Sequence, residues 1–244
     1  MKILITNDDG ISARGIKLLT ESALKFGEVF VVAPMTQQSA VSQGITVHSP
    51  ISIEEFDYMA GTRAWTVGGK PADCVKVAFE YLHLKPDLVL SGVNDGPNLG
   101  TDILYSGTVA AASEAVVFKV PSAAISTDFG AFEIVERELD DVLAYLIAND
   151  LPQPGILLNV NFPLNTYEKS RGFKFTRQGH RIFSAKYRHE EGLFWQEGNW
   201  VDMDNEADTD VDACENGFIS ISPLGIDRTD QSILDSWQKR GTDQ

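Results

Sequence analysis

Short apolar runs alternate with helical patterns over the first 163 residues, and this alternation constrains the fold more than any other feature. The runs are rich in leucine and β-branched residues and lack polar alternation, which is typical of strands buried on both faces of a parallel sheet. They occupy residues 3–5, 29–33, 88–90, 123–125 and 156–160. Helical spacing falls between them, at residues 16–26, 74–82, 109–117 and 135–147. We therefore predict a three-layer, Rossmann-like α/β fold with a mostly parallel sheet.

The pattern changes near Pro163, where the last buried run ends. Aromatic and polar residues alternate in the following segment, which predicts C-terminal β-hairpins, and residues 232–239 predict a short terminal helix. We predict a Rossmann-like catalytic core over residues 1–163. Residues 164–244 would form a hairpin and oligomerisation extension packed on that core.

Six acidic residues recur at every second position of the extension, so an extended backbone would present all their carboxylates on one side. They are Asp202, Asp204, Glu206, Asp208, Asp210 and Asp212. A solvated loop and a calcium-binding loop are the two interpretations. The calcium loop is disfavoured because Ala207 and Ala213 stand where it needs glycine and glutamate.

The composition excludes several classes of partner. With 35 acidic and 20 basic residues the formal charge is −15, which opposes binding to nucleic acid or to an anionic membrane surface. No apolar stretch reaches the ~20 residues of a membrane span, and the sequence start lacks a signal-peptide core. Cys74 and Cys214 form no disulfide framework. We therefore predict a cytoplasmic protein that binds neither nucleic acid nor membranes.

Two adjacent carboxylates, Asp8 and Asp9, follow the first predicted strand. In an open α/β sheet the ligand crevice lies beyond the carboxyl ends of the strands, so both side chains reach the expected site. Their charges repel one another, and a divalent cation removes that repulsion. The alternative is that the pair belongs to an ordinary turn.

Polar loops follow two further strands at the same edge, at residues 36–42 and 91–100. Their hydroxyl and amide oxygens could complete a shell suited to Mg²⁺ or Mn²⁺. Taken separately, each loop could equally be an ordinary polar loop, and this is the interpretation we favour for Ser42 and Asn98.

The segment Tyr105-Ser106-Gly107-Thr108-Val109 leads into a helix of small residues. A helix start offers free backbone N–H groups, the two hydroxyls add donors, and the glycine lets an anion approach the main chain. These residues predict a phosphate-binding loop. The alternative is that Ser106 or Thr108 only caps the helix.

These motifs occur together in the order of a known family. They are Asn7-Asp8-Asp9-Gly10, Ser39, Gly68-Gly69-Lys70-Pro71-Ala72-Asp73-Cys74, Ser91-Gly92-Val93-Asn94, Gly96-Pro97-Asn98-Leu99-Gly100, Tyr105-Ser106-Gly107-Thr108-Val109-Ala110-Ala111-Ala112 and Ile221-Ser222-Pro223-Leu224. The whole chain thereby resembles the SurE family of stationary-phase survival proteins. The resemblance implies a metal-dependent phosphomonoesterase that removes phosphate from nucleoside 5′- and 3′-monophosphates, with some members also trimming short polyphosphate.

The same resemblance implies a site and an assembly. One divalent cation per subunit, Mg²⁺ or Mn²⁺, would be held by Asp8, Asp9, Ser39 and Asn94. Asp8, Asp9 and Asn94 would be catalytic, and phosphate would contact Asn94, Ser106, Gly107 and Thr108. The nucleoside monophosphate would be the small-molecule partner, and the chain would form a homodimer or homotetramer by exchange of C-terminal elements.

Three positions depart from the family pattern. Ala40 stands where glycine usually follows Ser39, and Asp95 and Lys70 replace small residues. The charge of Asp95 would either tighten metal binding or repel substrate, and Lys70 is interpreted as a solvated lysine.

Other functions are considered beside this one. A non-catalytic nucleotide- or phosphate-binding scaffold is the alternative from another class. A haloacid-dehalogenase-type phosphatase is disfavoured because Asp8 and Asp9 are adjacent instead of one residue apart. Whether Asp8 serves as general base or as covalent nucleophile is left open.

Overall fold

A computed structural model describes residues 1–203 and 206–241. Its strands are β1 (Lys2–Thr6), β2 (Glu28–Pro34), β3 (Ile53–Phe56), β4 (Thr62–Val67), β5 (Leu88–Asp95), β6 (Ser122–Thr127), β7 (Leu157–Asn161), β8 (Phe173–Phe175), β9 (Arg181–Glu190), β10 (Leu193–Asp202) and β11 (Ile219–Leu224). Nine of them form one sheet in the order β3-β4-β2-β1-β5-β6-β7-β11-β8. Pairing is parallel from β4 through β7, and it is antiparallel where β3 meets β4 and where β7 meets β11. The mostly parallel sheet predicted from the sequence is confirmed.

The helices cover both faces of the sheet. They are α1 (Arg14–Ala23), α2 (Pro71–Lys76), α3 (Gly107–Val117), α4 (Phe132–Ala148), α5 (Asp210–Glu215) and α6 (Gln231–Gly241). Helices α1 and α4 bury their apolar residues against Ile3 and Ile5 of β1, while α2 and α3 pack on the opposite face against Leu4 and Val89. The predicted three layers are therefore present. Throughout the described ranges, every helix is too short or too polar to cross a membrane.

The C-terminal segment contributes to the main sheet as well as to a hairpin. Strand β11 pairs with both β7 and β8, whereas β9 and β10 form a separate two-stranded sheet. The predicted hairpin and terminal helix are both observed, the latter as α6. The division into residues 1–163 and 164–244 stays a prediction.

The acidic run is neither extended nor solvated at its C-terminal end, although Glu206 and Asp208 are exposed as expected of a solvated loop. The chain turns into α5 at Asp210, so the alternation ends there, and Asp210 is fully buried. Its carboxylate is retained inside the protein because three backbone N–H groups donate to it, as described below. Asp204, another member of the run, lies outside the described residues.

Candidate functional site

The carboxyl ends of β1 and β5 bring the two aspartates and the Asn94 loop to one place. The strands pair in parallel with Thr6 opposite Ser91, so Asp8 and Asp9 leave the sheet beside residues 92–95. The backbone N–H of Asp95 donates to Oδ2 of Asp9 at 3.2 Å. The structure thus places Asp8, Asp9 and Asn94 at the same edge, as the strand pattern predicts.

Asp8 is buried against the start of α3. The hydroxyl of Thr108 donates to Oδ1 of Asp8, and a Cβ on Gly107 would lie 2.8 Å from both Cβ and Oδ2 of that aspartate. Only glycine leaves room for Oδ2 at this position. Burial raises the pKa of Asp8 to about 6; the bond from Thr108 opposes this shift, and the charge of Asp9 adds to it.

Ser106 begins α3 as its N-cap. Its Oγ accepts a hydrogen bond from the backbone N–H of Val109 at 3.0 Å, so the capping role considered for this residue is observed. The hydroxyl proton remains available to a ligand because this bond uses only the oxygen as acceptor. The first backbone N–H groups of α3, at Gly107 and Thr108, have no acceptor within the helix and give its start a partial positive charge.

Asn94 lies just after an irregularity of β5, where its register with β6 shifts between Ser91 and Asn94. Its Nδ2 donates to the carbonyl oxygen of Gly96 at 2.7 Å, which leaves Oδ1 as the oxygen for a cation or a donor. Among the described residues no three His, Cys, Asp or Glu side chains form a metal-binding group. The predicted shell therefore depends on oxygens of Asn94 and Ser39 beside the two carboxylates.

The loop after β2 reaches the aspartates through two glutamines. The backbone N–H of Gln38 donates to the carbonyl oxygen of Asp8 at 2.7 Å, and Nε2 of Gln37 donates to Oδ1 of Asp9 at 3.3 Å. Ser39 follows directly and is exposed. Ala40 has a φ of 54°, in the left-handed region that favours glycine, so the backbone conformation is the one a glycine would adopt without strain.

Asp73 supports this region from α2, and sequence reasoning gave it no role. It is buried and accepts bonds from the backbone N–H of Lys70 at 2.9 Å and from the hydroxyl of Thr46 at 2.7 Å. The interpretation of Lys70 as a solvated lysine stays a prediction, since the contact that its Nζ makes is a long one at the exposed surface. Lys70 is half-buried, with Nζ 3.4 Å from the carbonyl oxygen of Ile45.

Asn98 has a structural role within its polar loop. It is buried, and its backbone N–H donates to Oδ1 of Asn161 at 2.9 Å. Its Nδ2 donates to Oγ of Ser126 at 2.8 Å, while its carbonyl oxygen accepts from Nδ2 of Asn159 at 2.8 Å. These bonds fix the loop that runs from Asn94 toward Ser106.

Comparison with known proteins decides the family. Residues 3–185, most of the chain, match the family described as Survival protein SurE. This chain belongs to the SurE family. Among relatives, the 5′-nucleotidase SurE of Carboxydothermus hydrogenoformans is 42% identical over 98% of this SurE-family chain and 97% of its own length. The protein of the same name from Alkaliphilus metalliredigens is 39% identical over 94% of both chains.

A solved structure agrees with the fold of this SurE-family chain. The crystal structure of the SurE protein from Aquifex aeolicus superposes with a TM-score of 0.82 at 35% sequence identity. The match covers 97% of this chain and 98% of the other. The family resemblance drawn from the separate motifs is therefore confirmed over nearly the whole chain.

Asp210 holds the loop that precedes the predicted phosphate-binding residues of this SurE-family chain. Its carboxylate accepts from the backbone N–H groups of Gly100 at 3.0 Å, Gly179 at 2.8 Å and Val211 at 2.9 Å. We expect Asp210→Ala to lower the free energy of unfolding by about 3 kcal/mol or more, because buried N–H groups lose their acceptor. Urea denaturation measures this loss. Asp208→Ala is the control, because its exposed pair with Arg177 contributes ~1 kcal/mol at most; equal losses in both variants would contradict the role of Asp210.

Proposed function

We propose that this protein is a metal-dependent phosphomonoesterase that hydrolyses nucleoside 5′-monophosphates. The relatives of similar length carry the name 5′-nucleotidase SurE. The observation that carries the proposal is the contact between Asp8 and the start of α3. It sets a carboxylate able to bind a cation beside the backbone N–H groups able to bind a phosphate.

The donor set fits one Mg²⁺ or Mn²⁺ ion per subunit. Asp8 and Asp9 would supply carboxylate oxygens. Asn94 would supply Oδ1, because only its Nδ2 is used in the bond to Gly96. Ser39 would supply a hydroxyl, and it lies on the loop that contacts both aspartates. All are hard oxygen ligands of the kind these ions prefer. Burial raises the pKa of both Asp8 and Asp9, which means that their charged forms are disfavoured in the folded protein. A bound cation would offset this cost.

Ser106, Gly107, Thr108 and Asn94 would bind the phosphate. The N–H groups of Gly107 and Thr108 favour an anion at the helix start, and the hydroxyl of Ser106 and the side chain of Asn94 add polar contacts. Gly107 admits the anion because no Cβ stands between Oδ2 of Asp8 and the helix. Thr108 would contribute its backbone N–H, which also faces the Asp8 carboxylate, because its hydroxyl proton is already donated to Asp8.

The chain's residues would promote in-line attack at phosphorus mainly by positioning and charge. The bound cation would neutralise the phosphate charge as it develops. Thr108 fixes the orientation of Asp8, so Oδ2 lies beside Gly107, where it would face a phosphate bound at the start of α3. Gln37 and the N–H of Asp95 hold the side chain of Asp9 in the orientation in which it would bind the cation. Asp8 would either take a proton from attacking water or attack phosphorus itself.

We expect phosphate release from AMP by protein treated with EDTA only after Mg²⁺ or Mn²⁺ is added back, because the two aspartates lack a positive partner without it. A malachite-green assay measures the product, with and without the ion. The same assay on 3′-AMP and on short polyphosphate tests the wider activity that the sequence suggests. A nucleotide-binding scaffold would instead bind AMP in calorimetry and release no phosphate with any ion, which would refute the proposal.

The homodimer or homotetramer built by C-terminal exchange is also proposed. Its support is the exposure of large apolar side chains on the hairpin of β9 and β10, among them Tyr187, Phe194 and Trp195, and of Trp237 on α6. Apolar groups gathered on a protein surface favour a protein partner. Light scattering of the full chain measures the assembly directly. The cytoplasmic location stays a prediction.

A further inference from the structure

A cleft of about 520 Å³ opens at the start of α4, on the side of the sheet that carries α1. Its lining includes Phe129, Gly130, Ile134, Arg137, Asn165 and Tyr167. Hydrogen bonds hold its walls in place. The N–H of Asn165 donates to Oδ2 of Asp128 at 2.9 Å, and the guanidinium of Arg137 donates to the carbonyl oxygen of Glu168.

The cleft is joined to the candidate site by direct contacts. The N–H of Gly130 donates to Oδ1 of Asp95 at 2.8 Å, and the N–H of Asp95 donates to Asp9. The ring of Phe129 lies over Gly96, since a Cβ there would be 2.7 Å from the ring. Gly96 is also the residue whose carbonyl oxygen binds Asn94. A ligand with its phosphate on the candidate site can therefore extend across Asp95 and Gly96 to Phe129.

The chemistry of the cleft suits a neutral, flat group. Phe129 is 62% exposed although it is a large apolar side chain, and an exposed ring presents a face for stacking. The acidic residues Glu133 and Glu168 line the cleft with the single guanidinium of Arg137, so the cleft disfavours a second phosphate. Arg137 is moreover already bonded to a carbonyl oxygen.

We propose that this cleft binds the base of the nucleoside monophosphate, with Phe129 stacking on it as a specificity-determining residue. The inference rests on the proposed function, because it assigns the non-phosphate part of that substrate. Stacking recognises any base by its face, so Phe129 separates substrates that carry a base from sugar phosphates that lack one. The side chain of Asn165, which lines the cleft, would then contact the ring substituents, whereas the hydroxyl of Tyr167 already donates to the carbonyl oxygen of Glu215.

The test compares AMP with ribose 5-phosphate, which has the same phosphate ester and no base. In Phe129→Ala we expect KM for AMP to rise roughly tenfold, the loss expected from one stacked base, with kcat little changed. KM for ribose 5-phosphate stays the same. Inhibition by adenosine, which lacks the phosphate, should weaken by a similar factor, and Phe129→Trp should restore the KM for AMP.

Phe175→Ala is the matched control, because this phenylalanine is 60% exposed and lies on β8 at the far edge of the sheet. Equal effects of Phe129→Ala on AMP and on ribose 5-phosphate would overturn the base assignment, as would an unchanged KM for AMP. If the wild type hydrolyses neither compound, the proposed function fails separately. Calorimetry of AMP binding then tests the cleft alone, with unchanged affinity in Phe129→Ala refuting it and weakened affinity supporting it.

Discussion

Asp8→Asn is expected to abolish phosphate release from AMP while making the metal-free protein more stable. The activity should fall by about 10³-fold or more, since the change removes a carboxylate at the point where a cation and the phosphate would meet. Asparagine keeps the shape of the side chain and still accepts the hydrogen bond from Thr108. The loss would therefore reflect charge and not a collapsed site. Phosphate release at saturating Mn²⁺ measures it.

The gain in stability follows from the burial of a charge. Burial raises the pKa of Asp8 from 3.8 to about 6, so the folded state binds a proton more readily than the unfolded chain. The folded protein is therefore penalised as pH rises above 3.8, and the full penalty is reached above about 6. At pH 7.5 this shift corresponds to up to about 3 kcal/mol, which Asp8→Asn removes. Below pH 3.8 the two proteins should unfold alike.

Thermal unfolding in EDTA and in Mn²⁺ separates the two effects. The variant should have the higher Tm in EDTA at pH 7.5, and only the wild type should gain stability from Mn²⁺, because a ligand stabilises the state that binds it. Asp57→Asn is the control, because Asp57 is exposed and lies between β3 and β4, at the edge of the sheet where the parallel strands begin and not where they end. Near-normal turnover in Asp8→Asn would refute the assignment of Asp8, and an unchanged Tm in EDTA would refute the cost of burying its charge.

Gly107→Ala is expected to lower kcat/KM for AMP by about 100-fold, because small displacements of reacting groups have effects of this size. The new Cβ would lie 2.8 Å from Oδ2 of Asp8 and 3.1 Å from Cγ of Pro71, so either α3 or Asp8 must shift. The helix itself does not need the glycine, since alanine is the better helix former. The apparent affinity for Mn²⁺ in the same assay should weaken as well.

Gly225→Ala is the matched control for that substitution. A Cβ at Gly225 has nothing within 4 Å, and the residue lacks a positive φ, so its activity should equal that of the wild type. Wild-type activity in Gly107→Ala would contradict the close contact between α3 and Asp8 on which the proposed site depends.

The sequence predicts those parts of the fold and site that depend on local pattern. Buried runs locate β1, β2, β5, β6 and β7 because strands covered on both faces lack a regular alternation of apolar and polar residues. Asp8 and Gly107 are found for a related reason, since chemistry in this fold lies where strands end and helices begin. The pattern misses β3 because it lies at the sheet edge with exposed glutamates, and it misses β4 because Arg63 and Thr66 interrupt the apolar run there.

Residues that act through distant partners are the ones that the sequence does not reveal. Asp210 reads as one more member of an acidic run, yet the backbone N–H of Gly100, far from it in the chain, makes it a buried acceptor. Asn98 likewise depends on Asn159 and Asn161 of β7. Phe129 is a candidate binding residue only because it lines a cleft, which the sequence does not show. In each case the partner lies across the fold, and periodicity carries no information about it.

The position of β11 has a consequence for synthesis on the ribosome. Strand β7 obtains its outer neighbour only from residues 219–224, after the hairpin of β9 and β10 has been made. Until then the nascent chain presents an unpaired row of N–H and carbonyl groups along β7, which is a template for association with other chains. Strand β8 cannot cover that row, since it pairs with β11. The sheet is therefore completed late in synthesis, and the unpaired edge of β7 is where a chaperone would bind the emerging chain.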